Sequence, residues 1–214
     1  MEPQKTPRWF FLDLNSYFAS VEQQENPYLR NRPVAVVPSM TDATCAIAAS
    51  YEAKAYGIKT GTKIFEAKKM CPDLQCVLAR HYVYVDYHHR ILEEVDKYLL
   101  VHKVCSIDEF SSKLPNSLTD LDAIRALAEK VKEGIQKNVG EVIKCSIGIG
   151  PNSLLAKMAT DMQKPDGYVV LHPDDLPTKI LNLHLRDIPG IGVNMEVRLN
   201  NAGVCTMQDL LSLS

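Results

Sequence analysis

The 214-residue sequence predicts an α+β fold: a ferredoxin-like sheet, a small lobe inserted after its first helix, and a helical segment at the end. Two observations carry this. Short apolar runs, bounded by turn residues, alternate with longer stretches whose apolar residues recur at helical spacing. Their order is strand, helix, strand, strand, helix, strand once residues 26–80 are set aside as an insertion, which is the order of a split βαβ sheet. A 46% hydrophobic composition supports one sizeable core and a small second one.

Taken in order, "WFFLDL" (9–14) reads as a buried strand, and "NSYFASVEQQ" as a helix with Asn15 or Ser16 as its N-cap. Within the insertion, "PVAVVP" (33–38) and "CAIAAS" (45–50) pair as strands. "YEAKAYG" and "TKIFEAKKM" are helical, punctuated by Gly57 and Gly61, and "QCVLA" (75–79) is a further strand. Segment 83–99, "VYVDYHHRILEEVDKYL", is a long amphipathic helix. "HKVCSI" then runs extended and ends the second strand of the main sheet at Asp108. "TDLDAIRALAEKVKEGIQKN" (119–138) is a helix capped by Thr119, "VIKCSIGIG" (142–150) a strand ending in glycines, and "NSLLAKMATDMQ" a helix stopped by Pro165.

The net charge of -2 gives no global positive field, so any nucleic-acid binding must come from local basic patches. Six cysteines are dispersed with no C-x-x-C pair or Cys/His cluster, which reads as buried reduced thiols in the cytoplasm. The opening residues lack the apolar stretch of a signal peptide, and no run approaches a membrane span.

Charge is concentrated where the strands end. Asp13 closes an apolar strand, and Asp108 and Glu109 stand together beside another. A solvated turn, a salt-bridged core feature and a metal site would all place anions there. A carboxylate set among "WFFL" is costly to leave unpaired, and a hard cation with oxygen ligands would remove that cost. Side chains alternate along a regular strand, so Asp108 and Glu109 reach one site only if the backbone kinks between them.

Five blocks, "FFLDLNSYFASVE" (10–22), "AASYEAKAYGIKTG" (48–61), "SIDEF" (106–110), "CSIGIGPNSLLAKMATDMQKPDG" (145–167) and "LRDIPGIG" (185–192), resemble the Y-family lesion-bypass DNA polymerases. They follow the family's order and spacing over nearly the whole chain, and the first looks most similar to bacterial members. The resemblance implies a catalytic palm over 1–25 and 81–172, fingers over 26–80, and a partial thumb with a helix-hairpin-helix over 173–214. It implies template-directed DNA synthesis across damage, with primer–template DNA and deoxynucleoside triphosphates as partners and two Mg²⁺ ions as cofactors.

By that resemblance, Asp13, Asp108, Glu109 and the backbone carbonyl of Leu14 hold the ions. Phe18, beside Tyr17, takes the place of the steric gate that leaves no room for a 2′-hydroxyl. Tyr51, Lys54 and Lys164 correspond to triphosphate contacts, and Gly190 and Gly192 to a hairpin turn whose backbone approaches a DNA phosphate. Read alone, Tyr17 and Phe18 fit a helix core equally well, and Tyr51 and Lys54 fit a solvated helix face. Residues 51–70 carry Lys54, Lys59, Lys63, Lys68 and Lys69 against Glu52 and Glu66, a local basic footprint.

The sequence departs from the family at Ala48, where many relatives carry a hydroxyl, at Lys54, where many carry Arg, and at Phe110 and "SSKL" after the carboxylate pair. The family's DNA-gripping C-terminal lobe does not follow before Ser214. A fragment without it is expected to bind DNA weakly and polymerise poorly, and a sliding-clamp contact through that region would be missing too. Two other readings are a non-catalytic polymerase-like accessory protein that binds DNA, and a nucleotide cyclase built on a similar palm. The intact carboxylates argue against the first, the inserted lobe and hairpin against the second.

Overall fold

The structure is a computed structural model that describes residues 6–213. Its chain order is β1 (Trp9–Leu14), α1 (Tyr17–Glu25), β2 (Val34–Val37), β3 (Ala48–Ala49), α2 (Tyr51–Lys54), α3 (Ile64–Met70), β4 (Gln75–Leu78) and α4 (His81–Asp96). Then follow β5 (Lys103–Val104), β6 (Glu109–Lys113), α5 (Leu121–Asn138), β7 (Cys145–Gly150), α6 (Ser153–Met162), β8 (Tyr168–Val170), α7 (Val193–Asn201) and α8 (Met207–Leu211). The first five residues and Ser214, ends of the expected palm and thumb, lie outside the described residues.

The main sheet has the order β5-β6-β1-β7-β8, with β1 antiparallel to both neighbours and β8 parallel to β7. Its first four strands in chain order lie 2-3-1-4, the split βαβ arrangement, and β8 extends one edge. One expectation changes here. The second strand, β5, is a two-residue edge strand, residues 106–108 bend, and of the carboxylate pair Asp108 ends the bend and Glu109 opens β6. Because β6 runs antiparallel to β1, its beginning lies beside the end of β1.

The central strand is covered on both faces, and the alternation of its side chains sorts them. Phe10, Leu12 and Leu14 join Ile147 and Ile149 of β7 in one cluster with Tyr84 and Ile91 of α4 and Ile124, Val131 and Ile135 of α5. Removing one such side chain, Leu12→Ala for example, costs about 2–5 kcal/mol. Phe11 and Asp13 take the opposite face, where α6 crosses β7. That crossing is close because of glycine: a Cβ on Gly148 would overlap the Ala156 carbonyl oxygen, and one on Gly150 the Ala156 amide.

Residues 34–78 form a separate three-stranded sheet, β3-β2-β4, over a core of small side chains including Ala35, Val37, Ala46, Ile58 and Ala67. Val36 points the other way and packs into the main cluster, which joins the two sheets. A third cluster gathers Met158 and Ala159 of α6 with Leu171, Ile180, Leu185, Val204 and Met207. The last part of the chain is thereby packed on α6.

Three local expectations are corrected. Asp120, not Thr119, caps α5, its carboxylate accepting from Ala123 N at 2.9 Å. Ser16 is the N-cap residue of α1, as one of the two expected, but it is left-handed (φ 47°) and its side chain makes no capping hydrogen bond, while Asn15 turns to Ser146 Oγ at 3.1 Å. The six cysteines are free, but only Cys71 and Cys145 are buried, and Cys105 and Cys205 are exposed. Among the described residues no helix is long and apolar enough to cross a membrane.

Candidate active site

Strand register sets the carboxylates. Asp13 is the Cα partner of Glu109 and Leu12 of Phe110, so the two acids share one face of the sheet and the two apolar side chains the other. Phe110 is a buried core residue that packs at 5.4 Å from the His88 ring, and His88 Nδ1 lies 2.8 Å from the Ile107 carbonyl oxygen. Phe110 therefore anchors the strand start. Asp108 sits in the bend before it, its carbonyl accepting from Leu14 N at 2.9 Å and its Oδ1 from Ser106 Oγ at 2.6 Å.

Two ammonium groups complete the cluster. Lys157 Nζ lies 2.5 Å from Asp13 Oδ2, 3.0 Å from Glu109 Oε1 and 3.2 Å from Asp161 Oδ2. Lys164 Nζ lies 2.8 Å from Asp13 Oδ1 and 2.8 Å from Asp161 Oδ1. Burial works against the Lys157 charge, but Asp13, Asp161 and Glu109 outweigh it and hold its pKa above the ordinary lysine range. Asp13 itself is buried.

Sequence reasoning singled out Lys164 and the helix before it but missed Lys157 and Asp161. The available signal was their i,i+4 spacing on α6 beside the glycines of β7. A second network fixes the turn that carries Lys164. Asp166, left-handed at φ 56°, donates its N–H to Asn15 Oδ1 at 2.7 Å, and Lys132 Nζ donates to the carbonyls of Asp166 (2.7 Å) and Gly167 (2.9 Å).

These groups line a cleft of about 320 Å³ that holds Asp13, Leu14, Tyr17, Phe18, Lys54, Asp108, Glu109 and Lys164 together. Phe18 stacks on Tyr84, ring centroids 4.3 Å apart and planes 13° apart. Tyr84 is in turn held by its hydroxyl, which donates to buried Glu22 at 2.8 Å; Arg80 donates twice to the same carboxylate, at 3.1 and 2.7 Å. Neighbouring Tyr17 turns its hydroxyl inward to the Tyr84 carbonyl at 2.6 Å, and burial followed by the nearby Asp108 charge raises its pKa. Of this aromatic pair, Phe18 is the ring with an exposed edge.

Tyr51 lines a neighbouring cleft of about 470 Å³ with Asn15, Ser20 and Lys144, not the carboxylate cleft. Its ring nevertheless carries Lys54 Nζ at 4.4 Å from the centroid, a cation–π contact that links the two clefts. Burial, then Asp13, pushes the Tyr51 hydroxyl up to about 12, so at neutral pH it remains a donor. Burial and Lys164 lower Lys54 against the pull of Asp13. The basic footprint of residues 51–70 is smaller than its composition implies, because Lys68 pairs with Asp42 at 2.5 Å.

Gly190 and Gly192 lie outside the carboxylate cleft. Gly190 has φ 96° and Gly192 precedes α7, and both line a third cleft that has Lys157 and Asp161 on its other wall. The glycine turn thus shares a cleft with Lys157, which pairs with Asp13 and Glu109, and with Asp161, which pairs with Lys157.

Hard oxygen donors at the ends of β1 and β6 fit a divalent cation chemically, and the lysine ammonium between Asp13 and Glu109 shows that a cation is favoured there. Among the described residues no three His, Cys, Asp or Glu side chains converge tightly enough to form a metal group as they stand. Asp108 is turned to Ser106, whose hydroxyl donates to its Oδ1.

Residues 12–161 match the family described as impB/mucB/samB. The chain is similar to DNA polymerase IV of Moorella thermoacetica, 40% identical over 200 residues that make up 92% of this chain and 50% of the relative. It is 32% identical to DNA polymerase IV of Metallosphaera sedula over 207 residues, 95% of this chain and 59% of that one. Among solved structures it is similar to DinB from Sulfolobus solfataricus (31% identity, TM-score 0.84, 96% of this chain and 60% of that one). An insertion ternary complex of Dbh DNA polymerase is similar at 32% identity and TM-score 0.84, over 96% of this chain and 60% of that one. The chain spans about half the length of the curated relatives it matches.

Proposed function

The chain belongs to the impB/mucB/samB family, the Y-family, and we propose that it is the catalytic part of a template-directed DNA polymerase that copies damaged DNA. The observation that carries this is Asp13 and Glu109 side by side on one sheet face, with Asp108 at the bend, in a cleft walled by Phe18 and lined by Lys54 and Lys164. In this reading residues 1–25 and 81–172 are the palm, 26–80 the fingers and 173–214 part of a thumb. Its partners are primer–template DNA, deoxynucleoside triphosphates and a sliding clamp. The setting is cytoplasmic DNA repair.

Asp13, Asp108, Glu109 and the Leu14 carbonyl would hold two Mg²⁺ ions, which when bound make a primer 3′-hydroxyl more acidic and neutralise the leaving pyrophosphate. The remaining work is done by side chains of the chain itself. Lys54, Lys164 and the Tyr51 hydroxyl bind and orient the triphosphate, and Lys164 exchanges its Asp13 contact for a phosphate oxygen. Phe18, held flat by Tyr84, closes the space a 2′-hydroxyl would need. The hairpin at Gly190 and Gly192 offers backbone N–H groups to the duplex backbone.

Primer extension tests this with the chain in excess over primer–template, so that weak duplex binding does not limit the result. With Mg²⁺ the chain adds nucleotides that follow the template, and Asp108→Ala adds none. Equal extension by Asp108→Ala, or none by either, contradicts the reading.

A further inference from the structure

Lys157 holds its ammonium between the carboxylates of Asp13 and Glu109. Two of its oxygen partners, on Asp13 and Glu109, come from adjacent strands, and the third, on Asp161, comes from its own helix one turn away. Asp161 is the most exposed of the three acids, and it also pairs with Lys164. Asp13 therefore shares both of its cationic partners with Asp161.

We infer that Lys157 is an internal counter-cation that keeps Asp13 and Glu109 together before metal binds, and that Asp161 is the acceptor to which its ammonium retreats when metal arrives. This rests on the metal-site reading above. The charge arithmetic supports it: with no cation between them, Asp13 and Glu109 would repel across the strand pair, and a divalent ion entering beside a fixed ammonium would be repelled in turn. An i,i+4 carboxylate lets the ammonium leave without becoming unpaired. Glycines at 148 and 150 bring α6 near enough for one lysine stem to reach both places. Lys157 and Asp161 are positioning residues in this scheme, since neither contacts substrate.

The test is Mn²⁺ binding to the chain without DNA or nucleotide, with free ion counted by its electron paramagnetic resonance signal. Lys157→Met keeps an unbranched stem but removes the ammonium and its cation–π contact with Phe11, and is expected to bind the first ion about tenfold tighter than wild type, while Lys157→Arg stays within about threefold. Asp161→Asn weakens binding about threefold or more in the wild-type background and changes little when combined with Lys157→Met. Unchanged or weaker binding by Lys157→Met overturns the inference, as does an equal effect of Asp161→Asn in both backgrounds. Should Lys157→Met not fold, the Lys157 side-chain amine resonance in wild type decides, assigned by its loss in Lys157→Arg. It shifts on adding Mg²⁺ if the ammonium changes partner, and a resonance that ignores Mg²⁺ sinks the idea. Asp13→Asn separates the two levels: if it does not weaken Mn²⁺ binding, the metal site itself is wrong.

Discussion

Phe18 owes its position to the side chains behind it. Its ring lies on Tyr84, Tyr84 is fixed by Glu22, and Glu22 is fixed by Arg80, so the exposed ring edge has little freedom to withdraw. Phe18→Ala is expected to raise ribonucleotide over deoxyribonucleotide insertion by about tenfold or more, read from paired kcat/KM values. An unchanged ratio removes the gate assignment. Tyr84→Phe keeps the ring and deletes one donor to a buried carboxylate, so it should cost about 1–2 kcal/mol in urea unfolding while leaving the sugar ratio alone. At this scale the sequence disclosed the acids and Phe18 through the family resemblance. It concealed Lys157, because a lysine inside an amphipathic helix reads as surface until the glycines opposite show how near the sheet it lies.

Helix α6 is the element on which the site depends, since it supplies Lys157 and Asp161 and leads into the turn that bears Lys164. Its closeness to β7 is imposed by Gly148, and Gly148→Ala should cost about 2–3 kcal/mol by forcing the helix outward. Gly61→Ala makes the useful contrast. Nothing crowds its Cβ position and only its left-handed backbone (φ 87°) resists, so about 1–2 kcal/mol is expected. Equal denaturation midpoints for the two variants would contradict the packing account. Long periodic elements such as α4 and α5 were legible from spacing alone. The two-residue β5 was not, because its partner β6 lies across a bend and the apolar run "HKVCSI" carries no signal of where pairing stops.

Across the whole molecule, the split-sheet order was recoverable from element order, while the side of the strand on which the acids fall required the antiparallel register. Ties between distant elements also set the response to acid. Glu94 on α4 is buried, which by itself would raise its pKa, but donors from Lys97, Asn138 of α5 and Tyr98 outweigh burial and hold it below the ordinary carboxylate range. A folded pKa below the unfolded one gives stability that is fully present above about pH 4.3, the unfolded value, and is lost as pH falls through the lower folded value. Glu94→Gln should therefore flatten the acid limb of a stability–pH curve, and a limb as steep as wild type would remove Glu94 as a cause. The central claim, that the ends of β1 and β6 form a metal-dependent nucleotidyl-transfer site, is tested most directly by anomalous diffraction from Mn²⁺-soaked crystals with a non-hydrolysable deoxynucleoside triphosphate. Manganese peaks bound by Asp13, Asp108 and Glu109 are expected, with Lys157 moved to Asp161. Manganese bound elsewhere, with Lys157 still between Asp13 and Glu109, would contradict it.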